Sequence, residues 1–322
     1  MSLYPLLFEP TFHYRIWGGN KLKYFGKNIT ESKIGESWEI STVPGYISLV
    51  ANGKYKGTNL QDLVFKYKEE LLGTQVYQKY GDQFPLLIKF LDADQPLSVQ
   101  VHPNDDYAQK HHNSFGKTEM WYILDAEKDA EIIIGFEKGI NKELYAKSIK
   151  NGNVENILRK IHPEKDDVFY IPSGRVHAMG KGITLAEIQQ TSDITYRIYD
   201  YNRIDINGEP RKLHTQQAMD VADFSYIENP NVIYNKKEEN TLLVNSPYFT
   251  TTRYNISAKN QKLEDLPQSF RILICLEGEC NILSNTSIVQ IYKGQSLLIP
   301  AILKNIEIIS HTHTKLLEVH IE

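Results

Sequence analysis

Disulfide chemistry has almost nothing to work with in this chain. Its 322 residues include two cysteines, Cys275 and Cys280, too few for a cross-linked scaffold and without the paired spacing of a zinc knuckle. They read as free thiols in a reducing compartment. No apolar run approaches the length of a membrane span, and the opening Met1-Ser2-Leu3-Tyr4-Pro5 carries no basic leader, so a cytoplasmic protein with no membrane partner is expected. Charge excess is missing too: 36 basic against 40 acidic residues give −4, which argues against a nucleic-acid partner. There is no glycine-rich phosphate loop and no dinucleotide fingerprint, so nucleotide chemistry is not expected either.

What the chain does have is aromatic surface and short apolar runs. The 20 Tyr and 12 Phe favour strands and polar-tipped pockets, and the length suits about two domains. Thr58 to Leu72 is the clearest helix: Thr58 and Gln61 suggest a capping box, Leu60, Leu63, Val64, Tyr67 and Leu71 share a face, and Gly73 can close the end. Two further short helices are expected between Asn141 and Ile161, and one from His214 to Asp223. Ser225 to Asn240 reads as a polar linker, dividing the chain into residues 1–224, with helical insertions at about 58–72 and 141–161, and residues 225–322. In the second part, Arg271 to Cys280 reads as a hairpin.

The chemistry gathers around Ser98-Val99-Gln100-Val101-His102-Pro103 and Lys117-Thr118-Glu119-Met120-Trp121. Strand alternation sends Ser98, Gln100 and His102 to one side, and Lys117, Glu119 and Trp121 to one side of the next strand. Pro103 keeps His102 extended at a strand end. Val168-Phe169-Tyr170-Ile171 then runs into a Pro172-x-Gly174-x-x-His177 turn that adds a second imidazole. Two imidazoles and a carboxylate with open positions make a catalytic zinc set, and the amide oxygen of Gln100 extends it to one that would also accept manganese, iron, cobalt or nickel. Gly294 to Ala301 echoes the Val168 to Gly174 stretch, yet no histidine follows, so the second part is expected to be metal-free. His111 and His112 would face opposite ways in a strand and are left outside the site.

Several other residues have two readings. Glu36, Trp38 and Ile40 alternate with Ser37, Glu39 and Ser41, which fits an edge strand with Trp38 in the core. Lys89 interrupts the apolar run Leu86 to Leu91 and faces either a substrate anion or solvent. Arg197 and Arg203 flank Asp200-Tyr201-Asn202, a density of charge that suits anion capture or pairing with Asp200 and Asp205.

Pro172-x-Gly174-x-x-His177 resembles the second cupin motif, and Gln100-x-His102 followed by Glu119 resembles a modified first motif. Gln stands in place of a first His, a long loop from Pro103 to Gly116 intervenes, and Asp166 sits where cupins often carry Gly. Together with Gly-Glu-Ser-Trp-Glu at Gly35 to Glu39, for which the resemblance implies a wall of the substrate cleft as the alternative to an edge strand, and Gln-Gln-Thr-Ser-Asp-Ile-Thr-Tyr-Arg at Gln189 to Arg197, these segments resemble type I mannose-6-phosphate isomerases in their short form. The resemblance implies a mainly β fold of two cupin-type jelly rolls with a few short helices inserted. It implies an isomerase, dependent on one zinc ion per chain, that interconverts mannose 6-phosphate and fructose 6-phosphate through an enediol. Gln100, His102, Glu119 and His177 match the metal ligands, Arg197 a catalytic arginine, Arg203 a basic residue near the phosphate, and Ser98 and Lys117 further cleft positions. Glu187 and Lys117 are both candidates for the base; a carboxylate beside a dication is ionised at neutral pH, which favours Glu187. A cupin acting on another phosphosugar and a non-catalytic sugar-binding cupin are the alternatives, and the oligomeric state is left open.

Overall fold

The computed structural model describes residues 2–205, 208–285 and 287–322. In these residues four antiparallel sheets are stacked in layers, so the chain is mainly β as expected. The catalytic half pairs a five-stranded sheet, in the order Tyr196–Tyr199, Val99–Val101, His177–Met179, Ile132–Phe136, Leu158–Ile161, with a six-stranded one. The six-stranded sheet runs Val168–Ile171, Glu119–Ala126, Ile183–Gln190, Leu86–Ala93, Ile34–Ile40, Thr11–Tyr14. The other half pairs a seven-stranded sheet, centred on Arg271–Glu277 and His313–His320, with a four-stranded one that includes Glu279–Leu283 and Ile288–Tyr292. Among the described residues five α-helices join them: α1 (Leu60–Leu72), α2 (Thr74–Tyr80), α3 (Asp105–His112), α4 (Lys142–Lys150) and α5 (Thr215–Val221).

The layers follow from which side chains each strand turns which way. Trp121, Ile123, Leu185 and Phe169 meet Ile132, Ile134 and Met179 between the first two sheets. The opposite face of the six-stranded sheet, with Ile88, Phe90, Met120, Tyr122 and Ile188, packs on Ile272, Ile274, Leu298, Leu317 and Val319 of the seven-stranded sheet. Leu273, Cys275, Leu297 and Ile299 then face Cys280, Ile282, Ile291 and Ile308 of the last sheet. Helices α4 and α5 cover the outer face of the five-stranded sheet through Tyr145 and Ala218. The six-stranded sheet is therefore buried on both faces, which is why Leu86–Ala93, Ile34–Ile40 and Ile183–Gln190 contain no exposed residue.

Several expectations need correction. Gly35 to Ser41 is no edge strand, since Ile34–Ile40 lies between Thr11–Tyr14 and Leu86–Ala93. The cap of α1 is Asn59, whose side chain accepts from the Asp62 amide at 2.7 Å, one residue beyond Thr58. The expected loop after Pro103 contains α3, capped by Asn104 with Asp105 and Asp106 in its first turn. Only Val154–Ile157 of the second expected helix near 141–161 is helical, as a single 3-10 turn; Leu158–Ile161 instead completes the sheet edge beside Ile132–Phe136. Arg271–Glu277 and Glu279–Leu283 are not a hairpin, because Gly278, at φ 72°, turns the chain from the seven-stranded to the four-stranded sheet. Finally, Leu6–Glu9 pairs with Ser296–Ile299, so the chain crosses the expected boundary at residue 225 at its very start.

The halves also share aromatic packing: Phe84 meets Phe270 with ring centroids 4.8 Å apart, and both are fully buried. All three tryptophans, Trp17, Trp38 and Trp121, belong to the catalytic half. Removing Phe270 should nevertheless be felt there. Phe270→Ala is expected to lower stability by about 3–5 kcal/mol, and denaturant titration followed by tryptophan fluorescence should show it. An unshifted tryptophan midpoint would mean that the halves unfold independently.

Candidate active site

On its inner face the six-stranded sheet carries a row of paired residues, Trp38, Lys89, Glu187 and Trp121, set by the register of four neighbouring strands. Side chains directly opposite one another in an antiparallel pair share a face. Lys89 Nζ lies 3.1 Å from Glu187 Oε1, Trp121 Nε1 donates to Glu187 Oε2 at 3.0 Å, and Lys89 sits 5.0 Å from the centre of the Trp38 ring. Burial pushes the Glu187 carboxyl up, but Lys89 and Lys117 outweigh it and hold its pKa below the ordinary value.

Facing this row is the metal centre. Gln100 and His177 are register partners in the five-stranded sheet, and His102 follows one residue after Val101. Gly174, at φ 87°, makes the turn into His177; a Cβ there would meet the Val221 carbonyl at 2.9 Å. Glu119 enters from the opposite sheet. Its Oε1 is 3.3 Å from His177 Nε2 and its Oε2 is 3.5 Å from His102 Nε2, and the three donor atoms lie within 4.8 Å of one another. The Nδ1 of His102 is 2.8 Å from the Ile194 carbonyl and that of His177 is 2.9 Å from the Arg175 carbonyl. Each Nδ1 therefore carries the proton and each Nε2 turns a lone pair to the centre. Burial above all keeps both imidazoles below their ordinary pKa, so both are neutral, as ligands must be.

The set fits a divalent cation. Glu119 is fully buried, and among the described residues its Oε1 accepts no hydrogen bond. An orphaned carboxylate oxygen of this kind is costly unless a cation meets it. Gln100 Nε2 lies 3.3 Å from His177 Nε2, and a half-turn of the amide would present its oxygen as a fourth donor. The Lys117 ammonium contacts Glu119 Oε2 and lies 3.2 Å from His102 Nε2. Burial works against that charge, but Glu119 and Glu187 more than compensate and raise its pKa.

The centre opens into a cleft of about 460 Å³. Of the residues expected from sequence, Ser98, Lys89, Gln100, Lys117, Glu187 and Arg197 all line it. Lys89 thus faces the cleft and not solvent. Arg203 does not line it: its guanidinium donates to the carbonyls of Pro96 and Asp200 and to the Asp200 carboxylate. In its place stands Arg211, which sequence reading missed. It lines the cleft while its Nε donates to Asp200 Oδ2 at 2.6 Å. No motif marks it; it is brought in by a return of the chain after Asp200.

Also missed as a pair were Arg15 and Glu36, joined at 2.9 and 3.1 Å by a bidentate contact that Trp38 Nε1 completes at 2.7 Å. Burial raises the Glu36 carboxyl, but Lys89 and Arg15 prevail and bring it to about 2. The alternation of Glu36 with Trp38 was the available signal. Three cleft cations are thereby matched: Lys89 by Glu187, Lys117 by Glu119, Arg15 by Glu36. Arg203 and Arg211 share the single Asp200 carboxylate, and Arg197 donates to the Lys212 carbonyl with its Nε unpartnered among the described residues.

Comparison with known proteins agrees with this geometry. Residues 6–140 match the model of the phosphomannose isomerase type I catalytic domain, and residues 238–321 that of the mannose-6-phosphate isomerase cupin domain. Mannose-6-phosphate isomerase ManA of Bacillus subtilis is 41% identical over 304 residues, covering 93% of this chain and 94% of that protein. The mannose-6-phosphate isomerase of Streptococcus mutans is 40% identical, with 94% of each chain covered. A crystal structure of the mannose 6-phosphate isomerase from Bacillus subtilis superposes with a TM-score of 0.87 at 34% identity, covering 98% of this chain and 99% of that one. A zinc-bound mannose 6-phosphate isomerase structure shares the fold at 16% identity, with a TM-score of 0.79 and 99% of each chain covered. This chain belongs to the type I phosphomannose isomerase family.

Proposed function

We propose that the protein is a zinc-dependent aldose-ketose isomerase that interconverts mannose 6-phosphate and fructose 6-phosphate. The observation that carries this reading is the buried His102, Glu119 and His177 cluster, with Glu119 Oε1 unpartnered among the described residues, beside a cleft lined by Gln100, Lys117, Arg197 and Arg211. A phosphosugar has polar oxygens for the metal-ligating cluster and a dianion for the two arginines.

His102, Glu119 and His177 hold the ion, with Gln100 as the neutral fourth donor. Zinc in such a site supplies Lewis acidity toward a carbonyl and needs no redox partner. The protein supplies the proton transfer. Isomerisation moves one proton between C2 and C1 and one between the two oxygens, through an enediol. Glu187, held ionised by Lys89 and Lys117, takes the carbon-bound proton and returns it to the adjacent carbon. Trp121 and Lys89 fix its two oxygens in place, so little reorientation is required. Lys117, charged in its pair with Glu119, is suited to donate a hydrogen bond to a substrate oxygen and not to act as the base. Ser98 offers a hydroxyl to the sugar, and Arg197 with Arg211 takes the phosphate by charge-assisted contacts. The buried free thiols of Cys275 and Cys280 support a reducing, cytoplasmic setting.

Metal analysis tests the first step of this reading. His102→Ala and His177→Ala should lose their zinc, whereas Gln100→Ala should keep most of it, because imidazole nitrogen binds zinc more strongly than a neutral amide oxygen. Full occupancy in both histidine variants would sink the assignment.

Phosphate capture is tested by kinetics with mannose 6-phosphate. A charge-assisted contact is worth roughly 1.5–3 kcal/mol, so Arg211→Ala should raise KM about ten- to hundredfold. Arg203→Ala, outside the cleft, should change it only a few-fold. The reverse ranking would return the phosphate to Arg203.

Proton transfer is read by exchange of the C2 hydrogen of mannose 6-phosphate with heavy water. Glu187→Gln should lose exchange and about 10²–10⁴-fold in kcat while retaining zinc. Exchange retained there but lost in Lys117→Met would move the role to Lys117.

A further inference from the structure

A second cavity, of about 490 Å³, lies on the other side of the turn that follows strand Ile183–Gln190, and Asp193 lines both it and the catalytic cleft. Its size falls in the roughly 300–1,000 Å³ range of small-molecule sites. The wall is assembled from segments far apart in sequence: Gln61 on α1, Gln83 before Leu86–Ala93, Gln109 and Asn113 at the end of α3, Phe115 beyond it, and Thr191 to Asp193. Among the described residues no lysine, arginine or histidine lines it, and Asp193 is its one carboxylate. The lining therefore offers no counter-charge to a phosphate and too few acidic oxygens for a cation. What it offers is amides and hydroxyls over the apolar surface of Phe115, which stands edge-on to Tyr80 at 5.8 Å.

The amides are held ready. Asn113 closes α3 in the left-handed region at φ 51°, and its amide N–H satisfies the Ala108 and Gln109 carbonyls. Its side-chain Oδ1 accepts from Gln109 Nε2 at 2.8 Å. That contact leaves Gln109 Oε1 and Asn113 Nδ2, an acceptor and a donor, without protein partners among the described residues. Gln61 is fixed in the same way, its Nε2 donating to the Asp82 carbonyl at 2.7 Å and its Oε1 left over. Paired donors and acceptors above an apolar floor suit a ligand with hydroxyls on its edge and C–H groups on its face.

We propose that this cavity is a second carbohydrate site, for a neutral, unphosphorylated hexose. It is separate from the proposed catalytic role and does not depend on it. The two sites share more than Asp193: the next residue, Ile194, gives the carbonyl that orients His102. A hexose seated against Thr191 to Asp193 would bear on the segment that positions a metal ligand.

Saturation-transfer NMR with D-mannose on the zinc-loaded full chain tests the proposal. Transfer is expected in the wild type and in Arg197→Ala, which alters only the cleft. The double variant Gln109→Leu/Asn113→Gly removes two hydrogen-bonding side chains from an exposed helix end and keeps the left-handed backbone available. It should weaken mannose binding by about five- to 150-fold, at roughly 0.5–1.5 kcal/mol for each of two contacts, with zinc content and melting temperature unchanged. No transfer in the wild type, loss in Arg197→Ala, or binding undiminished in the double variant would each overturn the proposal.

Discussion

A sheet buried on both faces has no place for a charge except against another charge. The six-stranded sheet meets that constraint at its centre, lying between the five-stranded sheet and the other half of the molecule. Leaving one ion of a buried pair uncompensated costs on the order of 3–5 kcal/mol, so the polar residues of these strands come in matched sets. Glu187 is set against Lys89, Glu36 against Arg15, and on the far face Glu39 against Lys27. The cleft is therefore built from groups that are already ionised and already oriented before a ligand arrives. Glu119 breaks the pattern. Its Oε2 meets Lys117 and lies near the His102 imidazole, while its Oε1, which accepts no hydrogen bond among the described residues, is turned toward the lone pair of His177 Nε2.

The parts of this arrangement that were legible in the sequence depend on local geometry. Strand alternation placed Ser98, Gln100 and His102 on one side and Lys117, Glu119 and Trp121 on the facing side, because a period of two survives whatever the strand packs against. The Pro172 to His177 turn was legible for the same reason: ring closure and a positive φ at Gly174 are properties of a few adjacent residues. Arg211 was not legible, since its place in the cleft depends on a contact with Asp200 across a loop and no pattern of residue types announces it. Lys89 had two readings because a lone lysine in an apolar strand looks the same whether its face meets solvent or a cleft. Only the stacking of layers decides. Leu158–Ile161 shows the converse error. Its apolar spacing continues a helical pattern, but the open edge of Ile132–Phe136 offered backbone partners that a helix could not use.

Asp166 makes the cost of that local view concrete. Its φ of 68° is the left-handed conformation that glycine adopts most freely, and glycine is what cupins often carry there. An aspartate accepts the same backbone with modest strain. In return its carboxylate receives Lys315 Nζ at 2.9 Å on both oxygens and the Tyr122 hydroxyl at 2.8 Å. Lys315 belongs to the seven-stranded sheet, so a departure from the motif becomes an ion pair between the halves.

The half without a metal centre then has a physical task. Where the first jelly roll encloses a polar cleft, the second encloses aliphatic side chains and two buried thiols, with no cluster of metal-ligating groups among the described residues. Its contribution is to the outer face of the six-stranded sheet. It lays Ile272, Ile274 and Leu317 against strands whose other face carries Lys89 and Glu187, and the Gly294 carbonyl accepts from Lys27, the partner of Glu39. A side chain at Gly294 would collide with the Phe25 carbonyl at 1.9 Å, so the contact requires glycine as well as its φ of 85°. Water admitted at that face would reach the backbone of the very strands whose register aligns Trp38, Lys89, Glu187 and Trp121. A slip of one residue would turn all four away from the cleft. The second jelly roll thus bears on catalysis without touching the cleft, by keeping dry the sheet that sets its geometry.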